Sequence, residues 1–217
     1  MGPAADLRSR VLSAVANSPA PTRAATRLRN TILFVSGFVV PVAIFWAYGG
    51  MRESPRPGTL IAETSAGAGL VALTAMIIAL SRGRSMLGRA GTWLLGLALV
   101  TPLVLFAWKV LVSSSYPEMT VVWPERPGFR CLRLSCLMAA WPLVAFVMTR
   151  RGTDPTHPRL TGAAIGAAVG AAVWVLVDLW CPVAYVPHVL LGHVLPLLLT
   201  TAAGTWLGGN VVALRHH

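Results

Sequence analysis

Six runs of roughly twenty apolar residues, separated by short polar stretches, fill most of the 217-residue chain. Each run is long enough as a helix to cross a ~30 Å hydrocarbon core. With 55% hydrophobic and only 12% charged residues, the chain has about half the charge of an ordinary soluble domain. In lipid every backbone polar group needs a partner within the protein. The expected fold is therefore all-α, a polytopic membrane protein with six transmembrane helices.

The runs cover about 31–49, 59–80, 92–112, 131–149, 161–180 and 188–207. They define a basic cytoplasmic tail (1–30), a six-helix membrane domain (31–212) and a short C-terminal tail (213–217). About thirty residues precede the first run, too many for an ordinary cleavable signal peptide, and none is expected. The net charge of +11 comes from arginines clustered at the ends of the runs. That placement fits positive-inside topology better than nucleic-acid binding, so no direct nucleic-acid partner is expected. With the N-terminus inside, twelve of the 18 Lys and Arg lie on the inner side: Arg8, Arg10, Arg23, Arg27, Arg29, Arg82, Arg84, Arg89, Arg150, Arg151, Arg159 and Arg215. The outer side holds Arg52, Arg56, Arg126 and Arg130, with Lys109 and Arg133 at outer span ends. This count selects N-in, C-in, and places Tyr48, Trp108, Trp123, Trp180 and Tyr185 in an outer aromatic belt.

In the tail, Leu7, Val11, Leu12 and Val15 fall on one face of a short helix capped by Asp6. Two readings stay open: a leader that holds the first span, or a docking helix for a cytoplasmic partner. In the fifth run, Gly162, Gly166 and Gly170 recur every four residues with alanines beside them. Such spacing lets two backbones approach closely, either inside the monomer or as a homo-oligomer seam. Pro41, Pro102, Pro142 and Pro196 lie inside spans, and the carbonyls they free need partners on neighbouring helices.

The unusual polar residues gather toward the outer face. Glu63, Lys109, Arg133 and Asp178 lie near outer span ends, and Lys109 or Arg133 is expected to pair with Glu63 or Asp178. Cys131 opens the fourth run, Cys181 closes the fifth, and His188 and His193 begin the sixth. The two cysteines are placed to form a disulfide, to remain a reactive thiol pair, or to join the histidines around a soft metal. The spacing matches no compact metal motif, and His188 and His193, five apart, do not share an α-helical face, so neither metal nor other cofactor is expected. Cys136 is expected to be a buried small residue. No nucleophile elbow, HExxH, Walker loop or dinucleotide fingerprint is present, and no enzyme activity is expected.

The chain resembles the NrsF-like membrane anti-sigma factors, the CarR-type six-span negative regulators of extracytoplasmic-function (ECF) sigma factors. The resemblance rests on the short N-terminal tail, the six spans, Phe129-Arg-Cys131-Leu, Asp178-Leu-Trp-Cys181-Pro and His188-Val-Leu-Leu-Gly-His193-Val-Leu-Pro196. It implies a protein of the bacterial inner membrane that sequesters an ECF sigma factor and releases it on a stress signal. Cys131, Cys181, His188, His193 and Asp178 would form the sensing region, and Leu7, Val11, Leu12 and Val15 would bind the sigma factor. Two other readings remain: a small transporter, channel-like protein or membrane enzyme using Glu63, Asp178 and His193 near one face, and a structural subunit of a larger membrane complex with the fifth-run glycines as its seam.

Overall fold

A computed structural model describes residues 22–51, 57–81, 90–117, 128–151, 156–181 and 183–213. The docking stripe Leu7, Val11, Leu12 and Val15 and the loop arginines Arg52, Arg56, Arg82, Arg84, Arg89 and Arg126 lie outside the described residues. The described residues are mostly helical and contain no strand. Six helices are long and apolar enough to cross a membrane: α1 (Arg23–Ala47), α2 (Gly58–Leu80), α3 (Gly91–Ser114), α4 (Phe129–Thr149), α5 (Pro158–Trp180) and α6 (Val186–Val212). The chain divides into two units, Met1–Ile32 and Leu33–His217, with α1 crossing the division. The helix starts at Arg23, two turns before the first apolar run, where the Thr22 hydroxyl accepts the Ala25 amide. Arg23, Arg27 and Arg29 are thus helical rather than part of a loose leader.

In the larger unit α5 is the axis, packed against α2, α3, α4 and α6. Every residue from Thr161 to Ala171 is buried. Lipid is as apolar as leucine, so helix association there depends on close packing rather than on escape from water. Small residues supply it. A Cβ on Gly162 would meet the Gly208 Cα at 2.7 Å, and one on Gly170 would meet the Thr200 hydroxyl at 2.7 Å. The α6 backbone therefore occupies the face carrying Gly162, Gly166 and Gly170, so of the two readings of that spacing the close approach inside the monomer is the one seen. Large apolar side chains point outward instead: Leu70, Leu73, Leu99, Leu103, Leu111 and Trp206 are all exposed. A surface this apolar suits lipid and not water.

Side-chain contacts tie together the end of the bundle formed by the starts of α2, α4 and α6 and the ends of α1, α3 and α5. The Trp108 indole donates to the Glu63 carbonyl at 3.1 Å, the Trp180 indole to the Tyr48 carbonyl at 3.1 Å, and the Tyr116 hydroxyl to Thr59 at 2.9 Å. Up-and-down alternation brings these groups together, as the sequence pattern anticipates for an interfacial belt.

Candidate functional site

At that same end lies the polar interior. Lys109 Nζ donates to Asp178 Oδ1 at 2.5 Å, joining α3 to α5, and both side chains are buried. Of the pairings expected from sequence, this is the one formed. Glu63 and Arg133 are exposed. Asp178 Oδ2 is buried and makes no hydrogen bond of ordinary geometry among the described residues, although the Thr64 hydroxyl interacts with the carboxylate.

One layer above, four side chains converge. Cys131 belongs to the first turn of α4, and Cys181 terminates α5. His188 and His193 come from the first turns of α6. All four are at most 3% exposed. Cys181 Sγ is 3.1 Å and Cys131 Sγ 3.5 Å from the same nitrogen, His188 Nε2. Neither cysteine is disulfide-bonded. Hydrogen bonding with Cys131, aided by His188 and His193, holds the Cys181 thiol well below the ordinary cysteine range, against the opposing effect of burial.

The pairing of the two histidines corrects the sequence expectation. On an α-helix, positions five apart point about 140° away from each other at ~100° per residue. Here Leu190–Val194 is a π-helical turn, and the Leu195 amide donates to the Leu190 carbonyl five residues back. The wider turn returns the chain to one face after five residues, and the two imidazole centroids lie 5.8 Å apart. Pro196 accounts for a break here, because it has no N–H for the Gly192 carbonyl four residues before it. Ser135 on α4 donates to that carbonyl at 3.4 Å. The neighbouring helix thus compensates the proline, as expected for a broken helix in lipid.

Two glycines bring α4 against this turn. Gly128 caps α4 with φ +97°, a left-handed conformation that side-chain-bearing residues adopt at a cost. A Cβ on Gly128 would meet the Gly192 nitrogen at 3.1 Å and the His188 carbonyl at 3.2 Å. A Cβ on Gly192 would meet the Cys131 Cβ at 3.0 Å. The sequence reading passed over Gly128, Ser135 and Gly192. A glycine four residues before a proline inside a span was the available signal.

The resulting donor set is two thiols and two imidazoles whose ligand atoms all lie within 4.8 Å of one another. Spacing along the chain is therefore no objection to metal binding. His193 is buried, and among the described residues neither of its ring nitrogens makes a hydrogen bond of ordinary geometry, although one lies close enough to the Cys181 thiol to interact with it. Such an incompletely satisfied polar group costs about 1–3 kcal/mol. Trp174 covers one side of it, with ring centroids 5.2 Å apart. Asp178 lies near enough for its charge to interact with His193. Cys136, half-buried, lines a separate groove with Arg130, Arg133 and Trp180 and takes no part in the cluster.

A family model described as NrsF, negative regulator of sigma F, matches residues 14–213. No curated protein and no solved structure matches the chain.

Proposed function

The chain belongs to the NrsF family, negative regulators of sigma F, and from that premise we propose that it is a membrane-anchored anti-sigma factor. In this reading it holds an ECF-type sigma factor at the inner face of the bacterial cytoplasmic membrane and releases it under stress. The observation that carries the proposal is the family match across residues 14–213, nearly the whole chain. Six apolar helices supply the anchor. The arginine count supports N-in, C-in, which puts the tail stripe of Leu7, Val11, Leu12 and Val15 in the cytoplasm, where a sigma factor is found.

The same orientation gives the cluster of Cys131, Cys181, His188 and His193, with Asp178 beneath it, to the opposite face. A signal there would act through α5 and α6, whose backbones are in close contact along the glycine seam. Packed interfaces of this kind shift between discrete arrangements and do not deform continuously.

The test is co-precipitation of the full-length chain from bacterial membranes. Wild type is expected to retain an ECF sigma factor, and a chain carrying Leu7→Asp, Val11→Asp and Val15→Asp is expected to lose it while still inserting. Retention by both chains would move the binding surface to the inner loops. Absence of any sigma factor from the wild-type precipitate would defeat the proposal.

A further inference from the structure

We infer that Cys131, Cys181, His188 and His193 form a tetrahedral binding site for a zinc-class divalent cation. Two sulfur and two nitrogen donors in a buried pocket are the set that selects zinc among the common metals. Zinc bonds of about 2.3 Å to sulfur and about 2.0–2.1 Å to nitrogen put neighbouring S and N atoms ~3.6 Å apart around a tetrahedron. The two S···N separations at His188 Nε2, 3.1 and 3.5 Å, already approximate that edge. The widest separation within the set, at most 4.8 Å, would close by about 1 Å on binding.

Charge leads to the same assignment. Each thiol gives up its proton on binding, and two thiolates with two neutral imidazoles around a divalent cation make a neutral centre. A neutral centre is what a buried site at a membrane boundary tolerates. The incompletely satisfied His193 is the independent observation. One of its ring nitrogens lies among the other three donors without a hydrogen bond of ordinary geometry, and a cation would satisfy it. Metal-bound histidines donate their second ring N–H to an acceptor, commonly a carboxylate. The Asp178 carboxylate, whose charge interacts with His193, is the nearby candidate. The ion would pin the start of α4, the end of α5 and the π-turn of α6 to one point. This assignment stands whether or not the chain binds a sigma factor.

The experiment measures bound metal on the intact chain, purified in detergent from cells grown with zinc. About one zinc per chain is expected in the wild type and in Cys136→Ser. Cys181→Ser and His193→Asn are expected to lose most of it. His193→Cys, which restores a ligand, is expected to keep it and, loaded with Co2+ instead, to show stronger thiolate-to-cobalt absorption than wild type. A folded wild type without stoichiometric metal would overturn the assignment, as would full zinc content in folded His193→Asn. If the serine or asparagine variants aggregate, His193→Cys decides between the outcomes: folded and loaded supports the site, folded and metal-free refutes it. Because the readout is metal content, its failure is distinguishable from failure to bind a sigma factor.

Discussion

Replacing Lys109 by Met is the most discriminating change outside the cluster. The substitution conserves length and apolar stem but removes the ion-pair partner of the Asp178 carboxylate and leaves it only the weaker interaction with Thr64. Both groups are buried, at 2% and 1% exposure, so water cannot take over the lost contact. Removing one partner of a buried pair typically costs about 3–5 kcal/mol. In a bilayer the unfolded helices find partners of their own, which brings the expectation to about 3 kcal/mol, the lower end of that range. That is roughly a hundredfold in the unfolding constant. Asp178→Leu should cost a similar amount by stranding the ammonium. The double variant Lys109→Met with Asp178→Leu should recover most of the loss, because neither charge is then buried alone. The assay is reversible unfolding of the intact chain in mixed micelles as the denaturing detergent fraction rises. A single-variant cost below about 1 kcal/mol would refute the reasoning, as would a double variant no better than the sum of the two singles.

Three further predictions concern the packing that builds the site. Gly166→Leu, at the α5–α6 seam where the Thr200 and Thr201 backbones leave no room, should destabilise the chain by more than about 2 kcal/mol in the same unfolding assay. Gly192→Val should push α4 from the π-turn, and the rate of Cys131 alkylation by a bulky maleimide should rise severalfold above that of the wild type. Pro196→Ala restores a donor for the Gly192 carbonyl and should let the π-turn relax to α-helix. Stability should then be unchanged or higher, while His188 and His193 move off a common face and zinc content falls.

Much of this architecture was legible in the sequence because lipid simplifies the problem. Runs such as Gly58–Leu80 and Pro158–Trp180 have to be helices, since an apolar medium leaves backbone groups no other partners. The gathering of Cys131, Cys181, His188 and Asp178 at one end also followed, because alternating spans fix which ends are neighbours. What periodicity could not reveal was the rotation of α6. A period of 3.6 separates His188 from His193, and only the π-turn beside Pro196 reunites them. The choice of Asp178 over Glu63 as the partner of Lys109 was equally hidden, because it depends on which face of each helix meets the α5 axis. The glycine seam was read correctly as a close approach, and its partner, α6 of the same chain, had to come from three dimensions.

The most direct test of the central claim is the location of the sigma factor in cells that express the full-length chain. Membrane and soluble fractions would be compared before and after treatment with a membrane-permeant thiol reagent. With the wild-type chain, the sigma factor should be in the membrane fraction and move to the soluble fraction on treatment. With Cys131→Ser and Cys181→Ser combined, and Cys136 intact, its distribution should no longer respond to the reagent. A sigma factor that is soluble from the outset, or one that shifts equally with and without Cys131 and Cys181, would contradict the account.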